Sequence, residues 1–259
     1  MKLECVVVCD RYHDFLAATL PHHRSLFDRM VVVTSHEDVD TRRICEYWNV
    51  QCVPTDALET RKGRFCKGAG INAGLEKLDR DGWLLHIDAD IVLPPLTRPI
   101  LEKVAIDQES IYGVDRFMVR AHDDWRRFME MPRLLHENNS WIHLESFPIG
   151  TRVAIQQYGG WIPIGFFQLW HAKSGRLTYP QQHTSAARGD MAFALQWPRE
   201  KRVFLPELVV YHLDSANSAM SANWNGRKTE PFTVDGKWRH RKDPGVAVAE
   251  PQGHTDTYE

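Results

Sequence analysis

No apolar run in this chain approaches the roughly 20 residues that cross a bilayer, so no membrane span is expected. The opening Met1-Lys2-Leu3-Glu4-Cys5-Val6-Val7-Val8-Cys9-Asp10 is too short an apolar stretch, and too soon acidic, to be a secretory signal. Neither charge dominates: 32 Lys and Arg face 34 Asp and Glu, a net charge of −2. That balance excludes a whole-protein basic field for nucleic acid or membrane, though not a local patch. Cysteine is scarce. The five (Cys5, Cys9, Cys45, Cys52, Cys66) all lie in the first quarter, odd in number and without a CxxC pair. This excludes a disulfide framework and fits reduced, buried thiols in a cytoplasmic protein.

Signature motifs are missing too. The 13 histidines include no HExxH and no Cys/His zinc spacing. There is no Walker A loop and no GxSxG. Gly68-Ala69-Gly70 does not follow a strand closely and lacks the third glycine of a dinucleotide fingerprint. Internal repeats and low-complexity tracts are absent.

What is present is a length of 259 residues, 43% of them hydrophobic and 25% charged. This is enough to bury a large core without disulfides or metals. The first hundred residues alternate strand and helix. Leu3–Cys9, Met30–Thr34 and Val50–Pro54 read as buried strands. Asp14–Phe27, interrupted by Pro21, and Asp38–Trp48 read as helices, the latter with Val39, Ile44, Cys45 and Trp48 inward. Lys67–Leu78 reads as a third helix. Its Gly68, Gly70 and Gly74 weaken helix propensity, which predicts close approach to a neighbour. Trp83–Leu93 reads as a fourth strand, stopped by Pro94-Pro95. Strand and helix alternating at this spacing mean βαβ units and a doubly wound, mostly parallel α/β sheet.

Beyond Pro99 the spacing predicts a short helix at Leu101–Ala105, a strand at Ile111–Val119 and a charged helix at Asp123–Leu135. Hairpins and long loops are expected over 136–182, a helix at Asp190–Trp197 and a strand at Val203–Tyr211.

The chemistry concentrates in Leu84-Leu85-His86-Ile87-Asp88-Ala89-Asp90-Ile91-Val92-Leu93-Pro94. Ligands of open parallel sheets bind outside the carboxyl ends of the strands. Two carboxylates one residue apart at such an end are expected on one side of the strand. They are costly there unless solvated or neutralised by a cation. Hard oxygen ligands select Mg²⁺ or Mn²⁺. The bland alternative is a pair of exposed turn aspartates.

These residues give the chain a resemblance to nucleotide-sugar glycosyltransferases of the GT-A fold, close to glycosyltransferase family 2. Its carriers are Val6-Val7-Val8, the helix Lys67-Gly68-Ala69-Gly70-Ile71-Asn72-Ala73-Gly74-Leu75, and His86-Ile87-Asp88-Ala89-Asp90. The resemblance runs from about Leu3 to Leu213. It implies one catalytic domain over 1–215, with a nucleotide-binding half at 1–99 and an acceptor half at 100–215, followed by a C-terminal lid and tail at 216–259.

The resemblance also implies roles. Asp88 would contact the ribose or help hold the metal, and Asp90 would ligate the Mn²⁺ or Mg²⁺ that grips the diphosphate of a UDP- or GDP-sugar. The donor's base would lie near Cys9, Asp10 and Arg11, and near Thr55 and Asp56. Where similar enzymes often carry an aspartate after the second strand, this chain has Thr34-Ser35. Lys67 and Asn72 would touch the nucleotide. Asp190, opening a helix, would be the general base of an inverting transfer; its ordinary alternative is an N-cap. His212 would be a further metal ligand, and its alternative is structural. Trp224, Arg227 and Lys228 would close on the diphosphate; a surface turn is the alternative. Trp238-Arg239-His240-Arg241-Lys242 reads as a solvated tail. Gly159–Trp170, dense in aromatics and glycine, would line the sugar and acceptor sites or pack as a core hairpin.

The acceptor stays open among a glycan, a small molecule, a protein or a modified DNA base. A nucleotidyltransferase is the rival enzyme, opposed by Asp10-Arg11-Tyr12-His13-Asp14, which has no glycine. A non-catalytic nucleotide- or carbohydrate-binding module is the rival of another class. The set Asp88, Asp90, Asp190 and His212 opposes it, since binding alone needs no base.

Overall fold

The computed structural model describes residues 1–59, 65–104, 106–119, 121–130, 156–157, 160–183, 188–215 and 231–232. Its frame is an eight-stranded sheet. The strands are β1 (Leu3–Val8), β2 (Arg29–Thr34), β3 (Gln51–Pro54), β4 (Trp83–Asp88), β5 (Ile91–Val92), β6 (Ile111–Val119), β9 (Phe167–His171) and β10 (Arg202–Leu213). β7 (Gln156–Gln157) and β8 (Gly160–Trp161) pair separately as a small antiparallel ribbon. The sheet runs β3-β2-β1-β4-β9-β6-β10-β5. β3, β2, β1 and β4 are mutually parallel, and so are β6 and β10. β9 is antiparallel to both β4 and β6, and β5 is antiparallel to β10.

Both sheet faces are covered, which is why the central strands are apolar on both sides. Leu3, Cys5 and Val7 of β1 enter one core layer; Val6 and Val8 enter the other. Glu4 is buried without a charged partner because its carboxylate accepts the backbone N–H groups of Asp79 and Arg80 at 2.9 and 2.8 Å. Helix α1 (His13–His23) carries Pro21 in its last turn. α2 (Val39–Tyr47) is capped by Asp38, whose carboxylate accepts the Thr41 N–H at 3.0 Å. Its buried residues are Thr41, Ile44 and Cys45; Val39, expected inward, is exposed.

α3 (Lys67–Leu75) is shorter than the expected Lys67–Leu78, although Ile71, Leu75 and Leu78 are all buried. Its glycines do serve close approach. A Cβ on Gly68 would lie 2.3 Å from the Pro180 carbonyl oxygen, and one on Gly74 would lie 2.4 Å from the Val6 side chain. α4 (Thr97–Lys103), α5 (His122–Met129) and α6 (Gly189–Ala194) complete the α-helices of the described residues.

Further expectations change, among them the helix read at Leu101–Ala105, which is α4 at Thr97–Lys103. The strand at Trp83–Leu93 is two strands: β4 stops at Asp88, the chain turns at Ala89-Asp90, and β5 crosses to the far edge beside β10. The Leu213 N–H to Asp90 carbonyl bond of 2.8 Å fixes that turn. Phe167–His171, read as hairpin or loop, is a fully buried central strand. The helix at Asp123–Leu135 begins at His122 and ends at Met129. Residues 216–230 and 233–259, which include the expected lid and the Trp238–Lys242 cluster, lie outside the described residues. Phe232 is described: it stacks on Phe15 with centroids 4.9 Å apart, and its N–H donates to the Asp14 carboxylate at 2.5 Å. All five cysteines are free thiols. No helix among the described residues is long and apolar enough to cross a membrane.

Candidate active site

The carboxyl end of β4 delivers Asp88, and the turn that follows delivers Asp90. Asp88 is paired with the ammonium of Lys67, which α3 places opposite it with its side chain only 14% exposed. Burial works against the Lys67 cation, but Asp88, Asp190 and Asp90 together hold its pKa above the ordinary value. Burial outweighs Lys67 at Asp88, so that carboxyl titrates above the usual range. At Asp90 burial is opposed by His212, and the result lies below the usual range.

His212, near the end of β10, sets Nε2 3.1 Å from an Asp90 carboxylate oxygen. Each partner keeps a buried atom without a hydrogen bond: Oδ1 of Asp90 and Nδ1 of His212. Buried polar atoms are rarely left so. A carboxylate oxygen suits Mn²⁺ or Mg²⁺, and an added imidazole nitrogen favours Mn²⁺ over the harder Mg²⁺. Among the described residues no group of three Asp, Glu, His or Cys side chains forms a ready cation site. Lys67 takes one oxygen of Asp88, and the donors that keep a buried atom without a partner are Asp90 and His212. That number fits cations that bind through one or two side chains plus substrate phosphates.

His86, behind the pair, is fully buried, and burial holds it neutral. Its Nδ1 lies 3.2 Å from the Val6 carbonyl, which requires the proton on that nitrogen. Nε2 is then unprotonated, 3.7 Å from Asp88.

Asp190 occupies the first turn of α6, across a cleft lined by Lys67, Gly68, Ile71, Tyr179, His183, Gly189 and Asp190 itself. Arg188, not Asp190, holds the N-cap position, with φ of 70° and no capping side-chain bond. The Asp190 carboxylate accepts the Gly165 N–H at 2.6 Å and the Met191 N–H at 2.8 Å. An ionised carboxylate has about four lone-pair sites, so capacity remains for a hydroxyl.

Several residues missed in the sequence hold this geometry. The buried Gln168 amide donates to the carbonyls of Pro163 and Asp190, both at 2.9 Å, and accepts the Tyr179 hydroxyl at 2.6 Å. Tyr179 stacks on Phe193 of α6 at 3.7 Å. Arg116, in the middle of β6, is 6% exposed, with its guanidinium over the Phe166 ring at 4.3 Å. Burial pulls its pKa down against the pull of Asp90, Asp88, Asp115 and Asp190. The available signals were polar residues inside apolar strands: Gln168 in Phe-Gln-Leu-Trp, and Asp115-Arg116 between Val114 and Phe117.

Other expected site residues lie elsewhere. Asn72 spends its amide on the Tyr179 backbone, donating to the carbonyl at 3.0 Å and accepting the N–H at 2.7 Å. It ties α3 to the segment before α6. Cys9 is buried against Thr41, Sγ to Oγ1 3.3 Å, on the α2 side. Asp10, Arg11 and Asp56 form a separate group at the carboxyl ends of β1 and β3. Asp10 accepts the Ser35 hydroxyl at 2.6 Å, Arg11 adopts φ of 61°, and Asp56 is exposed. Phe166, Phe167, Leu169 and Trp170 pack in the core. Trp224, Arg227 and Lys228 lie outside the described residues.

No family model matches the sequence, and no curated protein does either. Solved structures do match. Glucosyl-3-phosphoglycerate synthase from Mycobacterium tuberculosis, in complex with Mn²⁺, uridine-diphosphate-glucose and phosphoglyceric acid, superposes with a TM-score of 0.53 at 13% identity. The match covers 85% of this chain and 73% of that one. A second match, a mycobacterial protein, gives 0.50 at 12% identity, over 85% of this chain and 69% of that one. At such identities the likeness establishes the fold: this chain has the GT-A-type α/β architecture, a mostly parallel sheet with an inserted antiparallel strand.

Proposed function

We propose that this protein is a metal-dependent glycosyltransferase that moves a sugar from a nucleotide-diphosphate sugar to an acceptor hydroxyl with inversion. The observation that carries this reading is the convergence of Asp88, Asp90, Asp190, Lys67 and His212 at the carboxyl end of β4. A nucleotide-binding module needs no carboxylate across the cleft from its phosphate site.

Asp90 and His212 would hold Mn²⁺ or Mg²⁺, which supplies charge neutralisation for the diphosphate leaving group. Lys67 stands by as a second cation, and Asp88 orients it. Asp10, Arg11 and Asp56 face the position of the base. The Asp190 carboxylate takes the proton of the acceptor hydroxyl as the acceptor oxygen bonds to the anomeric carbon. The bond from that carbon to the phosphate oxygen breaks, and the nucleoside diphosphate departs with its electron pair. The synthase that shares the fold was solved with a uridine diphosphate sugar, which favours UDP over GDP here. Residues 1–99 then form the donor half, 100–215 the acceptor half, and Trp224, Arg227 and Lys228 the closing loop. The free cysteines support a cytoplasmic setting.

The test is calorimetric titration of UDP with and without Mn²⁺ into wild type and Asp90→Asn, followed by a screen of nucleotide sugars for Mn²⁺-dependent hydrolysis. Wild type should bind UDP only with the cation, and the variant should lose that dependence. Equal binding by the variant in Mn²⁺ would overturn the assignment.

A further inference from the structure

Arg116 is a buried cation for which sugar transfer, as described above, has no use. Its guanidinium lies over the Phe166 ring, 4.3 Å from the centroid, and its Nε is fully buried without a hydrogen-bond partner. Taking a charge out of water is costly, and an apolar side chain of similar volume commonly fills such a place at no loss of stability. The charge itself therefore calls for a role.

Strand register places that charge. β6 and β10 run in parallel register from Asp115 and Val209 to Val119 and Leu213, and Arg116 pairs with Val210. Paired residues share a face, and so do residues two apart on one strand. Arg116 and His212 therefore project from the same face of adjacent strands. Their Cα atoms are diagonal neighbours, about 8 Å apart by strand spacing and rise. Phe166, Ala89 and Val210 all belong to the core layer on that side. His212 in turn meets Asp90 at 3.1 Å, and this pair keeps the two buried atoms without partners, Nδ1 and Oδ1. Of the carboxylates around Arg116, Asp90 and then Asp88 act on it most strongly, ahead of Asp115 and Asp190.

A fixed positive charge beside Asp90 and His212 acts with opposite sign on the two things the site would hold. It repels a divalent cation and attracts a diphosphate. Lys67 is matched locally by Asp88, whereas the Arg116 guanidinium rests on a ring. We infer that Arg116 sets the selectivity of the cation site: its charge disfavours a bare divalent cation on Asp90 and His212 and favours one that arrives with a diphosphate. The inference rests on the metal-dependent glycosyltransferase reading. Arg116 touches neither ion; it is a positioning residue that works through its field. The empty site would then resist filling by free cations until the donor brings its own.

The experiment uses the full chain, with free Mn²⁺ read by electron paramagnetic resonance and UDP binding read by calorimetry in saturating Mn²⁺. In Arg116→Met, bare Mn²⁺ should bind at least about tenfold tighter than in wild type. That is a modest figure for a unit charge within about 10 Å of a divalent ion at an effective dielectric of about 20. UDP should bind at least about threefold more weakly in the same variant. Arg116→Gln, also uncharged, should repeat both changes. Arg116→Lys, which keeps the charge, should stay within about threefold of wild type on both. Adding Asp90→Asn to Arg116→Met should remove the gain in Mn²⁺ affinity, which fixes the ion at this site. A gain in one affinity beside a loss in the other is not what a packing defect produces.

Unchanged or weaker Mn²⁺ binding in a folded Arg116→Met overturns the inference, as does an unchanged or tighter affinity for UDP. Loss of both affinities together also overturns it, since that marks a packing role. So does a gain in Mn²⁺ affinity that survives Asp90→Asn, because the ion then sits elsewhere. If Arg116→Met does not fold, Arg116→Gln carries the same test. An Arg116→Lys that behaves like the uncharged variants shows that charge is not the cause and ends the proposal. Failure of wild type to bind UDP in Mn²⁺ strikes the glycosyltransferase reading itself, whereas normal wild-type binding that Arg116→Met leaves unmoved strikes this inference alone.

Discussion

The Lys67 ammonium and the Asp88 carboxylate form an ion pair across α3 and β4, with side chains 14% and 30% exposed. Neither group has an equivalent alternative in the site: Asp90 is engaged by His212 at 3.1 Å. Removing one partner of a buried pair strands the other. Lys67→Met and Asp88→Asn should each lower stability, and a double-mutant cycle by urea unfolding should return a coupling of about 1–3 kcal/mol. A coupling indistinguishable from zero would mean the pair is not formed in solution.

His212 gives a second prediction. Its Nδ1 and the Oδ1 of Asp90 are buried without hydrogen bonds. His212→Gln should weaken Mn²⁺ binding in the presence of UDP by about 10–100-fold, read as free Mn²⁺ by electron paramagnetic resonance. Thermal stability without metal should change little, since the Gln amide can still donate to the Asp90 carboxylate. Unaltered Mn²⁺ affinity would return this histidine to a structural role.

Asp190 is more constrained than an exposed helix-start carboxylate. Its two oxygens accept N–H groups from Gly165 and Met191. Asp190→Asn keeps one acceptor and turns an amide N–H₂ toward a backbone N–H, so a stability loss of about 1–2 kcal/mol accompanies the chemical effect. Transfer should fall about 10²–10⁴-fold while UDP binding persists. A product with the donor's anomeric configuration would refute inversion. Gly165→Ala tests the same support from the other side. Its Cβ would lie 2.9 Å from both Cβ and Oδ2 of Asp190, so the carboxylate must move. Turnover should fall with UDP affinity retained.

His23, packed against the backbone of Ile91 and Leu93, predicts a pH effect. Burial, assisted by His22, depresses its pKa from 6.5 to about 3, and its Nε2 accepts the Leu93 N–H at 3.3 Å. Below pH 6.5 the unfolded chain takes up a proton that the folded chain refuses. This contribution is therefore complete above pH 6.5, declines as pH falls, and levels off near pH 3. Between pH 7.5 and 5.0, wild type should lose about 2 kcal/mol more than His23→Gln by urea unfolding. Parallel losses in the two proteins would show that His23 is solvated.

The sequence alone determined the nucleotide-binding half. The runs Leu3–Val8 and Arg29–Thr34 are apolar because both faces of a parallel sheet are covered, and such runs are legible without coordinates. The three glycines of α3 announced close packing, and Asp88-Ala89-Asp90 announced a site, because both are local patterns. What tertiary structure decided is how distant segments meet. A one-dimensional pattern could not show that β4 stops at Asp88, since Ile91–Val92 is equally apolar whether it extends that strand or crosses to β10. Phe167–His171 carries no turn signal that tells a central strand from a buried hairpin; its place between β4 and β6 comes from long-range pairing. Asn72 resembles a ligand contact in sequence, yet its amide is consumed by Tyr179, 107 residues away. Arg116 reads as an ordinary charge on a strand, and only the fold buries it, with its guanidinium over the Phe166 ring. Local propensity and periodicity are properties of neighbouring residues; the pairing of charges across a sheet is a property of the closed fold, and the chemistry of this protein resides in the second.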